Sequence, residues 1–160
     1  MSERKDQAIR NLNESRAYLE SVLDAVGDRW EVQVYSDGAQ WNIRQLTIHL
    51  ADSDKGQSRV VQAVAGGQDF IPPDFDIERY NLRMTEKRAE VTASEARASL
   101  SESRANLLEW LNEVDESLLD CSGRHASLRI LTVEEFLNVM ADHERSHARD
   151  IAAVLASSTP

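Results

Sequence analysis

The stretch TVEEFLNVMADHERSHARDIAAV, residues 132–154, opens with Thr132 and carries Glu135 three residues later. In that pattern a hydroxyl and a carboxylate satisfy the free N–H groups at the start of a helix. Phe136, Met140, Ile151 and Val154 then recur at helical spacing and predict one long amphipathic helix, helix four. Its apolar stripe needs partners, and three segments upstream supply them. Helix one runs from about Glu3 to Val26, with Ile9, Leu12, Leu19, Val22, Leu23 and Val26 on one side and Gly27 as its terminator. Helix two starts near Asn42, a good N-cap residue, and carries Ile43, Leu46, Leu50, Val60, Val61 and Val64 up to the Gly66-Gly67 break. Helix three begins after Thr92 or Ser94 and holds Leu100, Leu107, Leu108, Leu111 and Val114. Between helices two and three lies Gln68 to Val91, where Pro72-Pro73 bars a helix and Asp76 to Arg83 can supply a short one. The layout predicts an all-α protein, a four-helix bundle with one long crossover between helices two and three, as a single domain over residues 1–160. The segment Trp30 to Tyr35 alternates like a strand, but one short strand has nothing to pair with.

Composition points the same way. The chain has 160 residues, 41% of them hydrophobic and 29% charged, which fits neither disorder nor a membrane protein. Six glycines and three prolines are roughly half the average usage, so there are few turns to make. The net charge of −10 repels a polyanion and removes the attraction behind non-specific nucleic-acid binding, so no nucleic acid is expected among the partners. A single cysteine, Cys121, cannot form an internal disulfide, which suits a reducing compartment. Met1 to Asp6 lacks the apolar run of a signal peptide, and no apolar stretch approaches the ~20 residues of a membrane span. A cytoplasmic protein with no membrane partner is the expectation.

Chemistry concentrates in Asp142-His143-Glu144-Arg145-Ser146-His147. His143 and His147 stand four apart, so they project from one helix face about a turn apart. Both fall within the stripe of Phe136, Met140, Ile151 and Val154, and should point into the bundle. Two buried imidazoles each need a partner, which a shared metal ion supplies; otherwise they satisfy backbone groups. Two other histidines are available as a third ligand. His49 lies at the edge of the helix-two stripe beside Leu46 and Leu50, with Gly56 leaving space further along, whereas His125 follows Gly123 in a loop and reads as solvated. Three imidazoles suit zinc or nickel and leave a coordination position open, which is the mark of catalytic sites. Such an ion activates a water or holds a substrate thiol as thiolate. Asp52, Asp54 and Asp142 are candidate acceptors for the imidazole N–H groups. Arg104 occupies a core position between Leu100, Leu107 and Leu111. Either its stem lies across the stripe while its head reaches water, or the guanidinium meets an acid or an anionic substrate.

With these residues in hand the chain resembles the DinB-like (DinB/YfiT-like) superfamily. The resemblance rests on Trp41-Asn42-Ile43-Arg44-Gln45-Leu46-Thr47-Ile48-His49-Leu50, on Phe75-Asp76-Ile77-Glu78-Arg79-Tyr80-Asn81, and on Gly123 to Ile151 with His143-x-x-x-His147. It implies a four-helix bundle, often a homodimer, holding a divalent metal with His49, His143 and His147. It also implies a small-molecule substrate and an activity among thiol-dependent S-transferases, an isomerase and uncharacterised proteins, with a low-molecular-weight thiol such as bacillithiol or mycothiol as cosubstrate. Arg79, Tyr80 and Asn81 match a family stretch near the pocket and, with Arg104, are the expected substrate contacts.

The leading expectation is a metal-dependent enzyme of thiol S-transferase or hydrolase type. Two others stand beside it. One is a non-catalytic bundle in which metal staples helices two and four, for which a fourth protein ligand such as Asp52 would speak. The other is a plain helical interaction protein.

Overall fold

A computed structural model describes residues 2–158. Five helices form: α1 (Glu3–Asp24), α2 (Ile43–Ala65), α3 (Ile77–Lys87), α4 (Ala93–Glu113) and α5 (Val133–Ser157). Four of them, α1, α2, α4 and α5, are the long helices expected from the sequence, and α3 lies in the crossover between α2 and α4. The architecture is a four-helix bundle. It also holds a 3-10 turn, Glu116–Asp120, and an antiparallel hairpin of β1 (Ser122–Arg124) and β2 (Ile130–Thr132), with Gly123 opposite Leu131. Neither was anticipated, because three-residue strands carry too little alternation to read.

The helix starts follow from their caps. The Asn42 side chain accepts from the Gln45 N–H at 2.8 Å while the Gln45 side chain accepts from the Asn42 N–H at 3.0 Å. Thr92 with Glu95 and Thr132 with Glu135 repeat this reciprocal pattern. At its far end α1 stops at Asp24, two residues before the expected boundary. Val26 is nonetheless fully buried, and Gly27 follows with φ +64°. The alternating segment does find a partner, contrary to expectation. Gln33 bridges Asn42, and Ile43 N–H donates to the Val32 carbonyl at 3.0 Å, so it runs back along the entrance to α2.

α1 packs along α5 and α2 along α4, with α2 also against α5. The apolar core falls into two clusters, one around Leu19, Leu23, Leu46, Leu100 and Ile151 and the other around Leu12, Val61, Leu107, Phe136 and Met140. Between them each long helix contributes buried polar residues. Arg104 donates to the Asp54 carboxylate at 2.8 Å and to the Leu12 carbonyl at 2.7 Å. Arg16 donates to Glu144 at 2.8 Å, Ser15 donates to the same carboxylate at 2.7 Å, and Ser103 donates to Asp54. Two guanidinium groups thus meet two carboxylates, which is the condition for keeping such charges inside. Below this layer Gly123 lets the hairpin close on α2: a Cβ there would stand 2.5 Å from Val64 Cγ2. Among the described residues, no helix is long and apolar enough to cross a membrane.

Candidate metal centre

α5 presents His143 and His147 on one face, and α2, lying against it, brings His49 to meet them. His143 Nε2 stands 3.3 Å from His49 Nε2 and 3.1 Å from His147 Nε2. Two imidazole nitrogens on one tetrahedral ion at ordinary zinc distances are about 3.4 Å apart. The three ring nitrogens, all within 4.8 Å of one another, are therefore spaced as ligands of a single ion.

Their protonation also fits. Burial, reinforced by the two neighbouring histidines, pushes His49 down to about 3. Burial and then His147 bring His143 to about 4, and burial lowers His147 against the opposing pull of Asp150. Neutral rings carry a lone pair, as a metal ligand must. For His147 the tautomer can be deduced. The Tyr35 hydroxyl, kept protonated by burial and by its bond to Asp150, has one proton and gives it to that carboxylate. Toward His147 Nδ1, 2.7 Å away, it can only accept. Nδ1 then bears the ring proton, and the Nε2 lone pair faces the other two histidines. Trp41 stacks on His49 with ring centroids 4.3 Å apart and fixes that ring in turn.

The histidines sit in the wall of a cavity of about 700 Å³. α2 and α5 make its inner side, the crossover its outer side, and the hairpin loop at His125 to Ser127 one edge. Of the crossover residues taken as candidate substrate contacts, Tyr80 and Asn81 line it, whereas Arg79 is exposed and stands outside the lining. Arg104 is outside it too. Only 4% exposed, it neither reaches water nor faces the cavity, because Asp54 and Glu144 engage its guanidinium in the core. None of the three aspartates considered as imidazole acceptors fills that role. Asp54 belongs to the buried layer, Asp142 is exposed and pairs with Arg145 at 3.2 Å, and Asp52 pairs with Arg88 at 3.3 Å. Burial raises the Asp52 carboxyl, with Arg88 opposing. His125 is not solvated as expected: it is half-buried against Phe136, with its Nδ1 2.8 Å from Ser127 Oγ. Tyr35 and Asp150 were missed. Asp150 lies three residues beyond His147 on the same face and was readable, but Tyr35 reaches across 112 residues of chain without a local signal.

A helical bundle that gathers three neutral histidines in the wall of a cavity has the donor set that could hold one divalent ion between facing helices. The chain belongs to the DinB superfamily, whose family model matches residues 5–151. Among solved structures it is similar to YfiT from Bacillus subtilis, described as a probable metal-dependent hydrolase with an unusual four-helix bundle topology. The identity is 20%, the TM-score 0.80, and the match covers 98% of this chain and 89% of the other. No curated protein matches.

Proposed function

We propose that this protein is a cytoplasmic metal-dependent enzyme in which His49, His143 and His147 hold one divalent ion, zinc or nickel, and act on a small-molecule substrate by hydrolysis or thiol S-transfer. The convergence of three Nε2 atoms in the wall of the cavity carries this reading. When bound, the ion supplies Lewis acidity toward a water or a substrate thiol. The chain's own residues do the rest. Tyr35 and Asp150 hold His147 in the ligating tautomer, Trp41 orients His49, and the crossover forms the outer side of the cavity. Among the described residues no fourth histidine, cysteine or carboxylate joins the cluster, which favours an open catalytic position over a closed structural staple. Cys121 is not in the cavity lining, so a thiol taking part would come from a low-molecular-weight cosubstrate.

Elemental mass spectrometry of untagged protein tests the reading. We expect close to one zinc or nickel per chain, lost in His143→Ala. Protein that is folded, metal-free and gains none on reconstitution would overturn it. With cobalt substituted, a thiolate-to-metal absorption band on adding bacillithiol or mycothiol selects S-transfer, and its absence selects hydrolysis. The working unit is taken as a homodimer, which light scattering after gel filtration checks.

A further inference from the structure

Gly56 stands in the middle of α2, where glycine is among the least favourable residues. It has no positive φ, and a Cβ built on it would meet nothing within 4 Å. Neither backbone geometry nor crowding asks for a glycine there. What Gly56 does is line the cavity, seven residues and two turns beyond His49, and leave open the space a side chain would take. A void that the helix keeps open at a cost in its own propensity is explained by an occupant.

Chemistry of the wall describes that occupant. Phe70, Phe75, Met84, Val60 and Val139 give it a predominantly apolar face. Phe70, 56% exposed, is apolar surface that a bound molecule would cover. Asp52 is the sole carboxylate of the lining, and Arg88 pairs with it. Arg59 lines the cavity as well and has no acidic partner among the described residues. In a chain of net charge −10, this cavity holds one more cation than anions. Arg59 lies ten residues along α2 from His49, about 15 Å at the helical rise.

We propose that the cavity binds an elongated amphipathic anion, its anionic group at Arg59, its apolar body across Gly56 against the crossover, and its far end at the three histidines. The volume is in the range of small-molecule sites. This inference rests on the metal-enzyme reading only for what happens at the histidine end.

Two fluorescent probes of nearly the same shape separate the contributions: 8-anilinonaphthalene-1-sulfonate, and N-phenyl-1-naphthylamine, which lacks the sulfonate. Both should bind once per chain, with or without metal. Arg59→Gln should weaken the sulfonate about fivefold and leave the neutral probe within about twofold. Gly56→Leu should weaken both by more than about tenfold while the melting temperature holds or rises, because leucine is the better helix former. The proposal is overturned if neither probe binds, if Gly56→Leu leaves both affinities unchanged, or if Arg59→Gln weakens both equally. Metal content, measured on the same samples, keeps the two readings apart. Probe binding that obeys these rules in a protein unable to hold metal would sink the enzyme reading alone, and stoichiometric metal without probe binding would sink this one alone.

Discussion

Tyr35 contributes one oxygen to the centre, and that oxygen decides how His147 presents itself. Tyr35→Phe removes the acceptor that holds the ring proton on Nδ1, so metal affinity should fall by roughly 10- to 100-fold while the fold persists. Competition against a chelator of known affinity measures this, and an unchanged constant would show that the hydroxyl has no part in orienting the ligand. Arg104 is the opposite case, a residue whose role is confined to the interior. Arg104→Met leaves Asp54 and Glu144 with one guanidinium between them, and urea unfolding should show a loss of about 3–5 kcal/mol. Sequence spacing made His143 and His147 legible because four residues of helix fix a shared face. It also singled out Arg104 as out of place in an apolar stripe. It could not say which acid answers Arg104, because Asp54 and Glu144 lie on other helices, 50 and 40 residues away.

The elements were legible in proportion to their length. Thr132 announced its helix through a cap that depends on Glu135 three residues off, and Asn42 marked another as an N-cap residue, whereas the start after Thr92 or Ser94 was resolved only by the Thr92–Glu95 cap of the structure. The hairpin of β1 and β2 stayed hidden because its order comes from contact with α2. Gly123 is the point of that contact. A Cβ at 2.5 Å from Val64 Cγ2 leaves the stiff valine little room to move aside. Gly123→Ala should therefore cost about 1–3 kcal/mol by displacing the hairpin from the helix. The midpoint of denaturant unfolding checks this, and a midpoint equal to that of the parent would mean the hairpin shifts freely. The hairpin loop also forms one edge of the cavity through His125, so the same variant should disturb ligand binding before it disturbs the metal.

At the scale of the whole molecule, an ion held by His49, His143 and His147 would add a link between α2 and α5 to the packing and buried ion pairs that already join the helices. An ion present at a hundred times its dissociation constant adds about 2.7 kcal/mol of stability, which for a domain of this size raises the melting temperature by roughly 5–10 °C. Calorimetry with and without chelator reads the difference, and coincident transitions would mean that the folded state gains nothing from the ion. The four-helix layout was readable from apolar period and scarcity of turn formers. The cavity was not, since it exists only where the crossover folds back over α2 and α5. His49 and His143 are separated by 94 residues, so on a ribosome the first histidine is made roughly 5–20 s before its partner at ordinary synthesis rates. For that interval the nascent chain holds one histidine of the three. A site divided in this way could load an ion only after the last helix has docked, so every metal-bound molecule would be one that had finished folding.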